Sequence, residues 1–132
     1  MTEELLKSEI RGRIQRFRNR LSEYHLDGAL IVEKTDLYYL SGTKQDGHLF
    51  ISVENGPRLM VRRDFERAVS ESPLDEILPM KGFSELPHLL WEGNQNSPRR
   101  MGLEMDILPA KRFLLYQKLF PDTELVDISG LI

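Results

Sequence analysis

Apolar residues at Leu6, Ile10, Ile14, Phe17, Leu21 and Tyr24 recur at helical spacing, which predicts one amphipathic helix from about residue 4 to 25. Gly12 inside it costs about 1 kcal/mol relative to alanine. Asp27-Gly28 then breaks the periodicity, and residues 29–32 (Ala-Leu-Ile-Val) form a continuous apolar run of the kind found in strands covered on both faces. Thr35 or Asp36 is placed to cap a helical turn over residues 37–40, which Ser41-Gly42 ends.

Downstream, residues 48–53 and 58–61 are strand-like and are separated by Glu54-Asn55-Gly56-Pro57, a turn signal that predicts a hairpin. Asp64 can cap a helix through about Glu71, which Ser72-Pro73 stops. A short strand follows at residues 76–79. Another helix opens at Ser84, with Pro87 in its first turn, and ends near Trp91. Residues 93–98 are polar and turn-rich and read as a surface loop. A strand is predicted at 100–104, a helix from Pro109, as first helical position, to Phe120, and a last strand at 123–127. Strands alternating with helices, apart from one hairpin, give an α/β fold with a mixed sheet flanked by helices on both faces.

The 132 residues suit a single domain, 1–132, able to bury about two-thirds of the surface of the unfolded chain. Hydrophobic residues at 40% and charged residues at 30% are those of an ordinary globular protein. No apolar run approaches a bilayer span, and the acidic start of the chain lacks the pattern of a secretory signal, so no membrane association and a cytoplasmic location are expected. The chain has no cysteine, which removes disulfides, thiolate catalysis and cysteine zinc sites. A formal net charge of −3 argues against nucleic acid as the main partner. Arg11, Arg13, Arg16, Arg18 and Arg20 do concentrate positive charge on the first helix, but Glu3, Glu4, Glu9 and Glu23 flank them, and a solvated or salt-bridged surface is the better reading.

Candidate chemistry is sparse. His25, His48 and His88 have no spacing that sets two metal ligands on one helix face, and the pair His88 and Glu92 reads as a surface contact. Glu104 and Asp106 alternate along a strand end and read as a charged edge rather than an acid–base pair. Tyr38 and Tyr39 share a short helical turn; core packing is the default, with display of one hydroxyl toward a cleft as the functional alternative. Asp46-Gly47-His48 leads into a strand, and His48 reads first as a satisfied strand-end histidine and second as a ligand contact.

Taken in order, several segments resemble the amino-terminal domain of the creatinase, prolidase and Xaa-Pro aminopeptidase family of metallopeptidases. Arg13-Ile14 to Leu21 resembles its opening helix, and Asp27-Gly28-Ala29-Leu30-Ile31-Val32 its first strand. Asp36-Leu37-Tyr38-Tyr39-Leu40-Ser41-Gly42 resembles its N-x-x-Y-L-T-G signature. The stretch from Leu59 to Ala68 corresponds to a strand followed by D-x-R-Y-x-x-A, Met101-Gly102-Leu103-Glu104 to the I-G-x-E strand, and Leu125 to Ile132 to the approach to the linker helix. Two departures stand out: Asp36 occupies the common Asn position, and Arg62 or Arg63 replaces the Asp usual before the Arg of the third motif.

The resemblance implies a three-layer α/β/α, ribonuclease H-like domain with a mixed, mostly parallel sheet of five to six strands. It implies that residues 1–132 are not catalytic alone. Their partner would be a carboxy-terminal pita-bread domain that binds two divalent ions, manganese or cobalt, and cleaves Xaa-Pro peptides, with the full enzyme a homodimer. The loop after the Tyr-Leu-Ser-Gly turn would reach toward an active site, which marks Tyr39, Asp46 and His48 as substrate-cleft candidates. A stand-alone, peptidase-like binding module without catalysis is the alternative.

Overall fold

The apolar run after Asp27 becomes β1 (Gly28–Ile31), fully buried and second from neither edge of a six-stranded sheet. The computed structural model describes residues 2–91 and 97–132. In chain order the elements are α1 (Glu3–Glu23), β1, α2 (Lys34–Ser41), β2 (Gly47–Ser52), β3 (Arg58–Val61), α3 (Phe65–Glu71) and β4 (Glu76–Pro79). A 3-10 turn (Phe83–Glu85), α4 (Leu86–Leu90), β5 (Arg100–Leu103), α5 (Ala110–Leu119) and β6 (Glu124–Asp127) follow. The sheet order is β4-β3-β2-β1-β5-β6. β2 runs antiparallel to β1 and β3, and the other three pairings are parallel. The hairpin and the mixed α/β sheet are as the residue pattern predicts, and the mostly parallel pairing is as the family resemblance implies.

Alternation along the strands sends side chains to two separate cores. Ala29, Ile31, Leu49, Ile51, Leu59 and Val61 pack under α1, α2 and α3 with Ile10, Ile14, Phe17, Leu21, Leu37, Leu40 and Ala68. Leu30, Phe50, Met60, Met101 and Leu103 face the other way, onto Leu86, Leu90, Tyr116 and Phe120 of the α4 and α5 layer. β1 is an unbroken apolar run because both of its faces are covered.

The predicted elements are present, and the differences lie at their ends. α2 is longer than the expected turn, since Glu33, and not Thr35 or Asp36, caps it by accepting a hydrogen bond from the Asp36 N–H at 2.8 Å. Gly42 closes it at φ +83°, the left-handed conformation a glycine tolerates best. Asp64 stands at the N-cap of α3 but is itself left-handed and makes no side-chain cap. Pro109 is the N-cap of α5 rather than its first residue. Of the predicted loop 93–98, residues 93–96 lie outside the described residues, as does Glu92.

Candidate functional site

The surface that the Tyr38-Tyr39 pair builds is held from both sides. On one side, the Arg13 guanidinium of α1 sits 4.5 Å above the Tyr39 ring and donates to the Tyr39 carbonyl at 2.9 Å. On the other, the Lys44 ammonium lies 5.1 Å from the Tyr38 ring. Neither tyrosine packs into the core: each is 42% exposed, so the packing expected by default gives way to display. Helix geometry explains this, because Leu37 and Leu40 take the buried stripe of α2 and leave 38 and 39 outside it. With Leu6, Lys34 and Thr35 these side chains line an open groove of about 960 Å³.

The loop from α2 to β2 is tied to α3 rather than left free. The Glu71 carboxylate accepts from the Thr43 hydroxyl at 2.8 Å and the Gln45 amide at 3.3 Å, and the Thr43 bond is the main reason its pKa lies below the ordinary glutamate value. The Ser72 hydroxyl donates to the Ser41 carbonyl. Asp46, at the end of this loop, is exposed and pairs with Lys34 at 3.3 Å, which sets it at the margin of the groove.

His48 goes elsewhere. It is 3% exposed, and its Nε2 lies 2.7 Å from the Tyr116 hydroxyl of α5. Its ring packs edge-on against Phe83 with centroids 5.0 Å apart. Burial, followed by the charges of Arg112 and Arg62, pushes its pKa down to about 4, so it is neutral at physiological pH. The fold therefore brings Tyr39 and Asp46 to one surface and sends His48 into the opposite layer, where Nε2 is paired with Tyr116 but the buried Nδ1 has no hydrogen-bond partner, so the histidine is only half satisfied.

Glu104 is 6% exposed rather than part of a solvated edge. The strand ends at Leu103, and a turn in which the Ile107 N–H donates to the Glu104 carbonyl replaces the expected alternation with Asp106. Burial is the main cause of a pKa raised well above the carboxylate range; a hydrogen bond with Asp36 and the charges of Asp36, Glu33 and Asp106 add to it. Asp36 thus faces Glu104 across the β5–α2 junction. Glu104 Oε1 has no hydrogen-bond partner. Sequence reasoning missed Glu71 and the burial of Glu104; the Met-Gly-Leu-Glu run carried the only signal for the latter.

Among the described residues, no group of three or more His, Cys, Asp or Glu side chains is arranged to hold a metal ion. No described helix is long and apolar enough to cross a membrane. What the α2 groove offers is aromatic faces, cations and a fixed loop, which suit holding a peptide or another domain.

No curated protein matches the sequence. Among solved structures, the chain is similar to a Xaa-Pro dipeptidase from Bacillus anthracis, with 22% identity and a TM-score of 0.78 over 92% of this chain and 34% of that one. It is also similar to the N-terminal domain of the cytoplasmic peptidase PepQ from Mycobacterium tuberculosis H37Rv, with 20% identity and a TM-score of 0.79 over 91% and 95%. Against a prolidase from Pyrococcus furiosus the values are 21% and 0.73 over 89% and 35%. The chain spans about a third of the Bacillus and Pyrococcus proteins and nearly all of the Mycobacterium domain. At these identities the likeness is one of fold. The model of the Creatinase/Prolidase N-terminal domain matches residues 13–132, nearly the whole length, and the chain belongs to that family.

Proposed function

We propose that this chain is the non-catalytic amino-terminal domain of a metal-dependent Xaa-Pro peptidase, of the prolidase or aminopeptidase P type. In this reading a carboxy-terminal domain of the same polypeptide holds two divalent ions, manganese or cobalt, and carries out hydrolysis. The present domain shapes the mouth of the substrate cleft and takes part in a homodimer. The observation that carries the reading is the family match over residues 13–132. The groove of Tyr38, Tyr39 and Arg13, with its loop fixed on Glu71, supports it as the surface turned toward the cleft. Tyr39 and Asp46 are its wall residues, and His48 supports that wall only through the sheet.

The test has two arms. The 132-residue chain, supplied with Mn(II) or Co(II), is expected to leave a Xaa-Pro dipeptide intact, and metal-dependent turnover by it overturns the reading. In the polypeptide that joins this domain to its metal-bearing partner, Tyr39→Ala and Asp46→Ala are expected to raise KM several-fold with kcat little changed, the signature of lost binding rather than lost chemistry. Equal loss in kcat, or no effect from either, removes the cleft role.

A further inference from the structure

Across the sheet from the tyrosine groove, a second open groove of about 670 Å³ runs between the 3-10 turn, the end of β3 and the outer face of α5. Its charged lining is Arg62, Lys111, Arg112 and Lys118, with no carboxylate. Four cations converge here in a chain of net charge −3. Several cations elsewhere are matched by a carboxylate, as Arg58 is by Glu76, Arg67 by Glu71, Arg100 by Glu124 and Lys34 by Asp46. None of the four groove cations forms an ion pair with a described carboxylate.

The two guanidiniums are also held in place. Arg112 lies 4.4 Å and Arg62 5.5 Å from the centroid of the same ring, Phe83. Their field reaches the buried His48, whose charged form both disfavour. α5 adds to the imbalance: no side chain caps its first turn, that turn has no acidic residue, and Lys111 and Arg112 occupy it. Cations at the positive end of a helix dipole oppose the usual preference. Like charges gathered against a dipole are unfavourable when unoccupied and become favourable once an anion sits among them. Two fixed guanidiniums have lost in advance much of the freedom that binding would otherwise cost.

We propose that this groove is a binding site for a small oxyanion of the phosphate class carrying at least two negative charges, held between Arg62 and Arg112 with Lys111 and Lys118 around it. Forked guanidinium N–H groups match the oxygens of such a group, and the exposed Leu114 gives an attached apolar portion somewhere to rest. The site is independent of the cleft role, because it lies on the opposite face of the sheet.

The experiment is a titration of the 132-residue chain with inorganic pyrophosphate, followed by amide chemical shifts at constant ionic strength. Saturable shifts centred on Arg62, Phe83 and Lys111 are expected, with affinity falling as salt is raised. The double variant Arg62→Gln/Lys111→Gln should bind about tenfold more weakly or worse. Arg11→Gln/Arg16→Gln, with the same change in net charge on α1, should bind as the parent does. All four positions are exposed, so both variants should retain the parent's circular dichroism and Tm. Shifts that do not saturate, shifts spread equally over α1, or equal weakening by both variants overturn the site. Citrate binding as tightly as pyrophosphate overturns the assignment to the phosphate class.

Discussion

Glu104 and His48 are buried titratable groups whose effects on stability have opposite signs. Glu104 keeps its proton in the folded chain far above the pH at which an unfolded glutamate loses it. Over that window the unfolded state binds fewer protons, so stability falls as pH rises. Glu104→Gln supplies a permanent donor toward Asp36 and removes the titration. Its stability relative to the parent is expected to grow by up to about 4 kcal/mol between pH 5 and pH 8 in urea unfolding. A difference that does not change with pH rejects this account. Asp36→Asn, which restores the residue common at this position of the signature, removes one negative charge and presents an amide to Glu104. It should lower the Glu104 pKa, so that the loss ends at a lower pH and is smaller in total. For His48 the folded pKa is depressed to about 4, so the unfolded state binds more protons between the ordinary histidine value and pH 4, and stability falls as pH drops. Replacing it with Gln keeps a hydrogen-bonding group for Tyr116 and should flatten this acid limb by about 3 kcal/mol between pH 7 and pH 4.

At the scale of elements, two glycines decide how closely strands and the chain beside them approach. A Cβ on Gly47 would lie 2.5 Å from the backbone oxygen of Met60, on the neighbouring β3. Gly47→Ala therefore has to force β2 and β3 apart and should cost about 2 kcal/mol in chemical denaturation. A Cβ on Gly102 would instead meet Cγ2 of Ile128 at 2.6 Å, a side-chain atom that can be removed. Gly102→Ala should be destabilising alone but couple favourably with Ile128→Ala, the double variant losing less than the sum of the singles. Additive losses would show that the clash is relieved some other way. These contacts also mark the limit of reading from sequence. The apolar period of α1 and the unbroken run of β1 specify their own elements, because burial on one stripe or on two faces leaves a local pattern. The cap of α2 came from Glu33 because the helix began one turn earlier than its apolar residues. His48 was legible as a strand-end histidine, but neither its burial nor its partner Tyr116, 68 residues away, was. Glu71 is an ordinary charged residue in its own helix and becomes a clamp only where α3 meets the loop before β2.

At the scale of the whole molecule, two apolar cores lie on opposite faces of one sheet, and the question is whether they unfold together. The strands make separation costly: Leu30 belongs to one core while Ala29 and Ile31 belong to the other, and β2 divides Phe50 from Leu49 and Ile51 in the same way. Melting either layer would expose one face of β1, β2 and β3, which are almost entirely buried. Two probes report the layers separately. Trp91 packs against Phe50 and Phe120 in the α4 and α5 layer, so its fluorescence follows that side. The 21-residue α1 is the longest helix and dominates far-UV circular dichroism from the other. Shared strands predict coincident urea transitions by the two probes, with a single midpoint and slope. If fluorescence is lost before ellipticity, the α5 layer opens alone, and the groove of Arg62 and Arg112 rests on the less stable side. Coincidence makes that groove as rigid as the tyrosine surface, so an anion bound among its cations would raise the common midpoint and stabilise the far face, α2 included, by mass action on the whole fold.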